Sequence, residues 1–215
     1  IPNDRGVYLD KTWRLHPAVT EFISELMYDG RLESDSTLDT QNIRASGSLS
    51  GVGLRWLPVE TQGMSQSSPE EAGVISAAIE GLLSGSAVCT DADGLDRRLV
   101  PEDILVVSPY NAQVRCLRNA LPDGIRVGTV DRFQGQEGQI VFFSMATSSG
   151  EEMPRNLEFL FSRNRLNVAV SRARCMAVLV ASPRLLEIEA RTVEQMKLVN
   201  SLCRFVEVAK DQASG

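Results

Sequence analysis

Apolar residues fall into two alternating patterns along this chain. Short, almost wholly apolar runs recur at 103–108 (DILVVS), 125–130 (IRVGTV), 139–146 (QIVFFSMA) and 175–182 (CMAVLVAS), with a shorter one at 53–60 (GLRWLPVE). Between them the apolar positions return at helical spacing. The segment HPAVTEFISELMY (16–28) puts Val19, Phe22, Ile23, Leu26 and Met27 on one stripe, with Pro17 in the first turn. PEEAGVISAAIEGLL (69–83) opens on Pro69, Glu70 and Glu71, where the helix dipole favours acids. YNAQVRCLRNAL (110–121) and VEQMKLVNSLCRFVEVA (193–209) read as further helices, and LEFLFSRNRLNVAVSRAR (157–174) holds another. Strands apolar on both faces, alternating with helices, predict an α/β fold: a mostly parallel central sheet in an α/β/α sandwich of three layers. Residues 31–52 and 84–102 are small, polar or Gly/Asp-rich and predict loops within a single domain spanning 1–215.

Composition narrows the chemistry. Hydrophobic content of 43% supports a sizeable core. No apolar run is long enough to span a membrane, and no N-terminal segment reads as a signal peptide. The chain opens IPNDRGVYLD, without Met, and reads as a piece of something longer. None of the four cysteines, Cys89, Cys116, Cys175 and Cys203, forms a CxxC pair, which favours a reducing, cytoplasmic setting. The one histidine, His16, leaves no basis for a His/Cys metal site. A net charge of −6 argues against nucleic-acid wrapping by bulk charge, though not against a narrow local groove. Charge is uneven: Arg155, Arg163, Arg165, Arg172 and Arg174 crowd one stretch against Glu158 alone.

A parallel sheet binds ligands beyond the carboxyl ends of its strands, which points to the turns SPYN, TVDRFQGQE and TSSGEE. The chain has no GxxxxGK[ST], no Asp-Glu strand end and no GxGxxG, so it lacks the loop that cradles phosphates and the acid that holds Mg²⁺. Three segments are nevertheless more polar than a core requires. In TWRLHP, Trp13 could stack on a flat ligand and Arg14 could fork onto a phosphate; core packing and surface pairing are the alternatives. In VGTVDRFQGQE, Gly135 permits close backbone approach, Glu137 suits a ribose hydroxyl and Thr129 suits a nucleic-acid phosphate; a plain surface turn is the alternative. In RLNVAVSRAR, Leu166, Val170 and Ala173 face a core while Arg165 and Arg172 stack on one side; either a solvated helix face or a rigid transition-state clamp would read so.

In order and spacing, WRLHP, SPYNAQ, VDRFQGQE and RLNVAVSRAR resemble the motifs of the second, C-terminal RecA-like domain of superfamily 1 helicases. The closer branch is that of the RNA-surveillance helicase and the nuclease-helicases. The resemblance runs from residue 9 to about 182. It implies the P-loop NTPase fold without its own P-loop, and ATP with Mg²⁺ in a cleft shared with an N-terminal RecA-like domain that holds the metal. It implies that Arg172 is the arginine finger and Arg14 a second catalytic arginine on the γ-phosphate. Trp13, Gln134, Gly135, Glu137 and Arg165 would contact or support the nucleotide; Trp13 stands where the family usually has Tyr, and Ser171 where Thr is commoner. Thr129, Ser108, Pro109, Tyr110 and Asn111 would line half of a single-strand track, with DNA favoured over RNA. Arg165 would support Arg172, and Arg174 would be plain surface charge. Some members of the branch also carry a fused nuclease. A bacterial cytoplasmic helicase, inactive as this fragment alone, is the expected whole; a degenerate nucleic-acid- or protein-binding module without ATPase role is the alternative.

Overall fold

Five apolar segments pair side by side as one parallel sheet, and everything else is arranged by which face of it they cover. The computed structural model describes residues 10–133, 135–151 and 157–214. In chain order, a two-residue strand β1 (Lys11–Thr12) precedes helix α1 (Pro17–Met27) and pairs with β2 (Glu33–Ser34). Strands β3 (Asn42–Arg44) and β4 (Gly53–Pro58) lead to α2 (Pro69–Ser84), then β5 (Val88–Thr90) and β6 (Asp96–Arg98). The second half runs β7 (Ile104–Ser108), α3 (Asn111–Ala120), β8 (Arg126–Thr129), β9 (Gly138–Ser144), the short α4 (Leu157–Leu160), α5 (Arg163–Val170), β10 (Ala173–Ala181) and α6 (Val193–Ser214). The main sheet has the order β4-β10-β9-β7-β8, every pair parallel.

Alternate residues explain why the strands are apolar throughout. In β9, Val141 and Phe143 join a core with α1, α5 and α6 through Phe22, Leu166 and Phe205; Ile140 and Phe142 join a second core with α2 and α3 through Ile75, Ile79 and Leu117. β10 divides the same way, with Ala177 and Leu179 on one side and Met176, Val178 and Val180 on the other. Three layers follow directly, as the pattern predicts. Helix starts follow the sequence too: Ser68 caps α2 by accepting from Glu71 N–H at 3.0 Å, and His16 caps α1 by accepting from Ala18 N–H at 3.1 Å. The one histidine is therefore a cap. No helix among the described residues is long and apolar enough to cross a membrane.

Two expectations fail locally. The expected loops 31–52 and 84–102 supply β3, β5 and β6, which form a three-stranded antiparallel sheet with Ile43 opposite Cys89. Three-residue strands are too short to show a period of two; what holds them is the buried Ile43 in β3, the buried Cys89 and Thr90 in β5, and ion pairs of Arg44 with Asp96 and of Arg97 with Asp103. The helix expected to carry Arg172 stops at Val170. Ser171 caps its end, Arg172 sits in the turn, and the chain is already strand at Ala173, drawn out by parallel pairing with Gly138. Arg165 and Arg172 thus do not share a helix face, and Arg174 belongs to β10.

Candidate functional site

Two backbone bonds bring three distant segments to the amino end of the sheet. Gly138 N–H donates to Arg172 C=O at 3.0 Å, and His16 N–H donates to Arg174 C=O at 2.8 Å. Gly138 allows this closeness: a Cβ there would stand 2.8 Å from the Asp103 carbonyl oxygen. The side chains then converge. Glu137 takes Arg14 on one carboxylate oxygen and Arg174 on the other. Arg172 lies close enough to both Arg14 and Glu137 to feel their charge; burial, then Arg14, push its guanidinium below its usual value, and Glu137 partly offsets this. Its Nε is buried with no hydrogen-bond partner among the described residues. Three arginines around one carboxylate leave uncompensated positive charge, which fits an anion. Beside them Trp13 is 72% exposed, its ring carrying the Lys11 ammonium at 4.9 Å.

The cluster corrects two sequence expectations. It lies at the amino ends of β9 and β10, not beyond carboxyl ends. Arg174 is not plain surface charge, because it grips Glu137. The contact joins residues 37 apart in sequence, and no local pattern announces it. Arg165, expected to support Arg172, is engaged elsewhere: its guanidinium lies 4.1 Å over the Phe159 ring, donates to Phe159 C=O at 3.1 Å and approaches Asp131 at 3.9 Å. Gly135 has φ +84°, so its turn requires glycine, but it is exposed and no neighbour approaches its Cβ position. Gln134 lies outside the described residues.

The opposite end of the sheet is built differently. Ser108 and Thr129 end β7 and β8 in register. Ser108, Pro109 and Tyr110 are buried, Tyr110 tilted against Phe159 at 5.6 Å between centroids, so they are packing residues of the SPYN turn and only Asn111 reaches solvent. The start of the TSSGEE turn is likewise internal, with Thr147 donating to Ser65 C=O at 2.8 Å and Ser148 to Thr61 at 2.9 Å, whereas Gly150 and Glu151 are exposed. Asn111 and Thr129 open onto a cavity of about 350 Å³ shared with Val114, Arg115, Arg118, Gly128 and Arg132. Behind it runs a buried polar chain that sequence reading missed. Gln113 donates to Ser68 C=O at 3.1 Å and to Ser144 at 2.9 Å, and Ser144 donates to Glu71 at 2.6 Å. Ala146 N–H donates to the same carboxylate at 3.0 Å. Burial outweighs these bonds and pushes the Glu71 carboxyl up to about 7.

Fold and motifs together define a helicase-type α/β domain. A family model described as an AAA domain matches residues 3–184, and the chain belongs to that family, in the superfamily 1 helicase branch that its motifs resemble. It is 31% identical over 86% of its length to the DNA polymerase alpha-associated DNA helicase A of Saccharomyces cerevisiae, of which it covers 29%. It is 29% identical over 85% of its length to the regulator of nonsense transcripts 1 homolog of Arabidopsis thaliana, covering 15% of that protein. It is 28% identical over 80% of its length to the DNA-binding protein SMUBP-2 of Mesocricetus auratus, covering 18% of it. The chain thus spans less than a third of each of these relatives.

Proposed function

We propose that this chain is the C-terminal motor domain of an ATP-dependent nucleic-acid helicase, and that the amino-end cluster meets ATP in a cleft closed by an N-terminal RecA-like domain. The observation that carries this is Arg172: a guanidinium backed by Arg14, with a buried and orphaned Nε, in a cluster rich in positive charge. Bound ATP supplies the phosphoanhydride whose hydrolysis drives the motor. Glu137 sets the direction of Arg14 and Arg174, and the turn after α5 sets that of Arg172. Such fixed donors stabilise charge that develops on a transferring phosphoryl group. Trp13 offers an exposed ring face for the base. Glu137 already has a guanidinium on each oxygen, but a carboxylate has about four lone-pair sites, so it can still accept from a ribose hydroxyl. The same occupancy makes it a poor Mg²⁺ ligand, and the metal is assigned to the N-terminal domain. Directly after Thr129, Val130 and Phe133 are buried in the α1/α5/α6 core, and Glu137, a few residues on, stands in the arginine cluster. This segment is the physical link through which cleft closure would move the nucleic-acid side.

Arg172→Ala, in a protein joining this chain to its N-terminal RecA-like domain, lowers ATP turnover by about 10³–10⁵ while leaving ATP binding largely intact. Wild-type turnover overturns the proposal. A binding module without ATPase role would instead lose nucleic-acid or partner binding, and no turnover, on the same substitution.

A further inference from the structure

The cavity beside β8 gathers three arginines, Arg115, Arg118 and Arg132, with no carboxylate in its lining. Helix α3 carries Asn111, Arg115 and Arg118 at i, i+4 and i+7, so the three share one stripe, and no acid occurs in the helix. That stripe faces Gly128 and Thr129 of β8 and Arg132 of the following turn across about 350 Å³, with Val114 as the one large apolar residue in the lining. β8 is the edge of the sheet, paired only with β7, so nothing in the main sheet closes the groove on its outer side. Arg118 is set in place by donating to Val127 C=O at 3.0 Å. Arg115 and Arg132 are exposed, and no hydrogen bond or ion pair engages either among the described residues.

We propose that Arg115, Arg118 and Arg132, with Asn111 and Thr129, form a groove that holds the phosphate backbone of single-stranded nucleic acid along the β8 edge. The proposal rests on the helicase reading and extends it to three arginines outside the motifs' expected contacts. Guanidinium forks match phosphate geometry, and side chains one helical turn apart lie roughly 5–6 Å from each other at Cβ, a separation of the order of successive phosphates. No aromatic side chain lines the groove, so it contributes no base stacking. Its grip is on the backbone, indifferent to sequence and sensitive to salt. A net charge of −6 makes this locality necessary: a long-range field would repel the strand, and only a patch free of acids can hold it.

The test is fluorescence anisotropy of the chain with labelled oligo(dT) and oligo(U) across a salt series, for wild type, Arg115→Gln/Arg132→Gln and Thr129→Ala. Circular dichroism confirms that each variant folds. Each phosphate contact contributes about 0.7 to the slope of log K against log salt. The double variant should therefore lower the slope by about 1.4 and weaken binding about 25-fold at 0.1 M salt. The dT and U arms report whether one sugar is preferred. A double variant with wild-type slope, while Thr129→Ala weakens binding, overturns the arginine groove and leaves the nucleic-acid reading standing. No binding of either oligonucleotide by wild type overturns both. Equal competition by poly-glutamate overturns the groove in favour of an acidic protein partner.

Discussion

Glu137 leads into β9 at the amino end of the sheet, while Glu71 reaches Ser144, the last residue of the same strand, at the other end. The two are the same side chain in opposite surroundings. Glu137 is partly exposed and held by two guanidiniums. Glu71 is buried and held by a hydroxyl and a backbone amide, and its carboxyl is pushed up to about 7. One is a charged organiser of other charges. The other is a polar rivet between α2 and the sheet that pays a penalty for ionising. Across roughly 20 Å of strand the protein separates an end whose electrostatics are preorganised from an end whose polar groups are internally satisfied.

Within that contrast, the larger expected effect falls on its first half. Glu137→Ala removes the carboxylate that aims Arg14 and Arg174 and leaves three mutually repelling arginines. Misplacement of a clamp by about 1 Å is worth about 10²-fold, so ATP turnover in the protein carrying both RecA-like domains should fall at least that far. Arg174→Ala should show a smaller loss of the same kind, through Glu137. Turnover unchanged in both would reduce the cluster to surface ion pairs of little energetic weight.

The second effect concerns Glu71 and is one of stability. Its folded-state value near 7 lies above the ordinary 4.5, so its protonated form favours the fold. The contribution of this group to stability is greatest below about pH 4.5, declines as pH rises to about 7, and is flat beyond; its loss is about 3 kcal/mol. Urea denaturation of wild type and Glu71→Gln at pH 5 and pH 8 checks this. The variant should lack that decline, since a neutral amide can still accept from Ala146 N–H. An identical decline in both would mean that Glu71 is not the titrating group.

Much of the fold was legible in the chain because it depends on patterns longer than a turn. Five apolar strands and the stripes of α1, α2 and α3 fall where burial requires them. The four motifs also led to Arg14, Glu137 and Arg172, which the fold brings to one place. What was hidden depends on contacts rather than periods. β3, β5 and β6 are too short to show alternation. The end of α5 depends on β10 pairing with β9, which the run NVAVSRAR does not signal. The burial of Ser108, Pro109 and Tyr110 depends on packing against Phe159 and the sheet. Glu71 reads in sequence only as a first-turn acid favoured by the helix dipole, because Ser144 is 73 residues away. The Asn111/Arg115/Arg118 stripe, by contrast, was readable at helical spacing in α3 and gained meaning only when Thr129 and Arg132 stood opposite it.

The smallest expected effect on activity comes from a control at the amino end itself. Arg97 grips Asp103 with both guanidinium nitrogens at 2.6 Å, and Asp103 also accepts from Val100 N–H at 3.0 Å. The Asp103 carbonyl stands beside Gly138, one residue from Glu137, yet the Asp103 carboxylate turns to β6 rather than to the arginine cluster. If proximity alone made an ion pair functional, Arg97→Ala would impair turnover as Arg174→Ala does. If direction matters, Arg97→Ala should lower stability by about 1–3 kcal/mol, through a largely buried carboxylate left half-satisfied, and leave kcat at the wild-type value below the melting transition. Thermal melts and ATPase assays on the same preparations separate the two outcomes. A parallel loss of kcat would extend the functional cluster to the small antiparallel sheet.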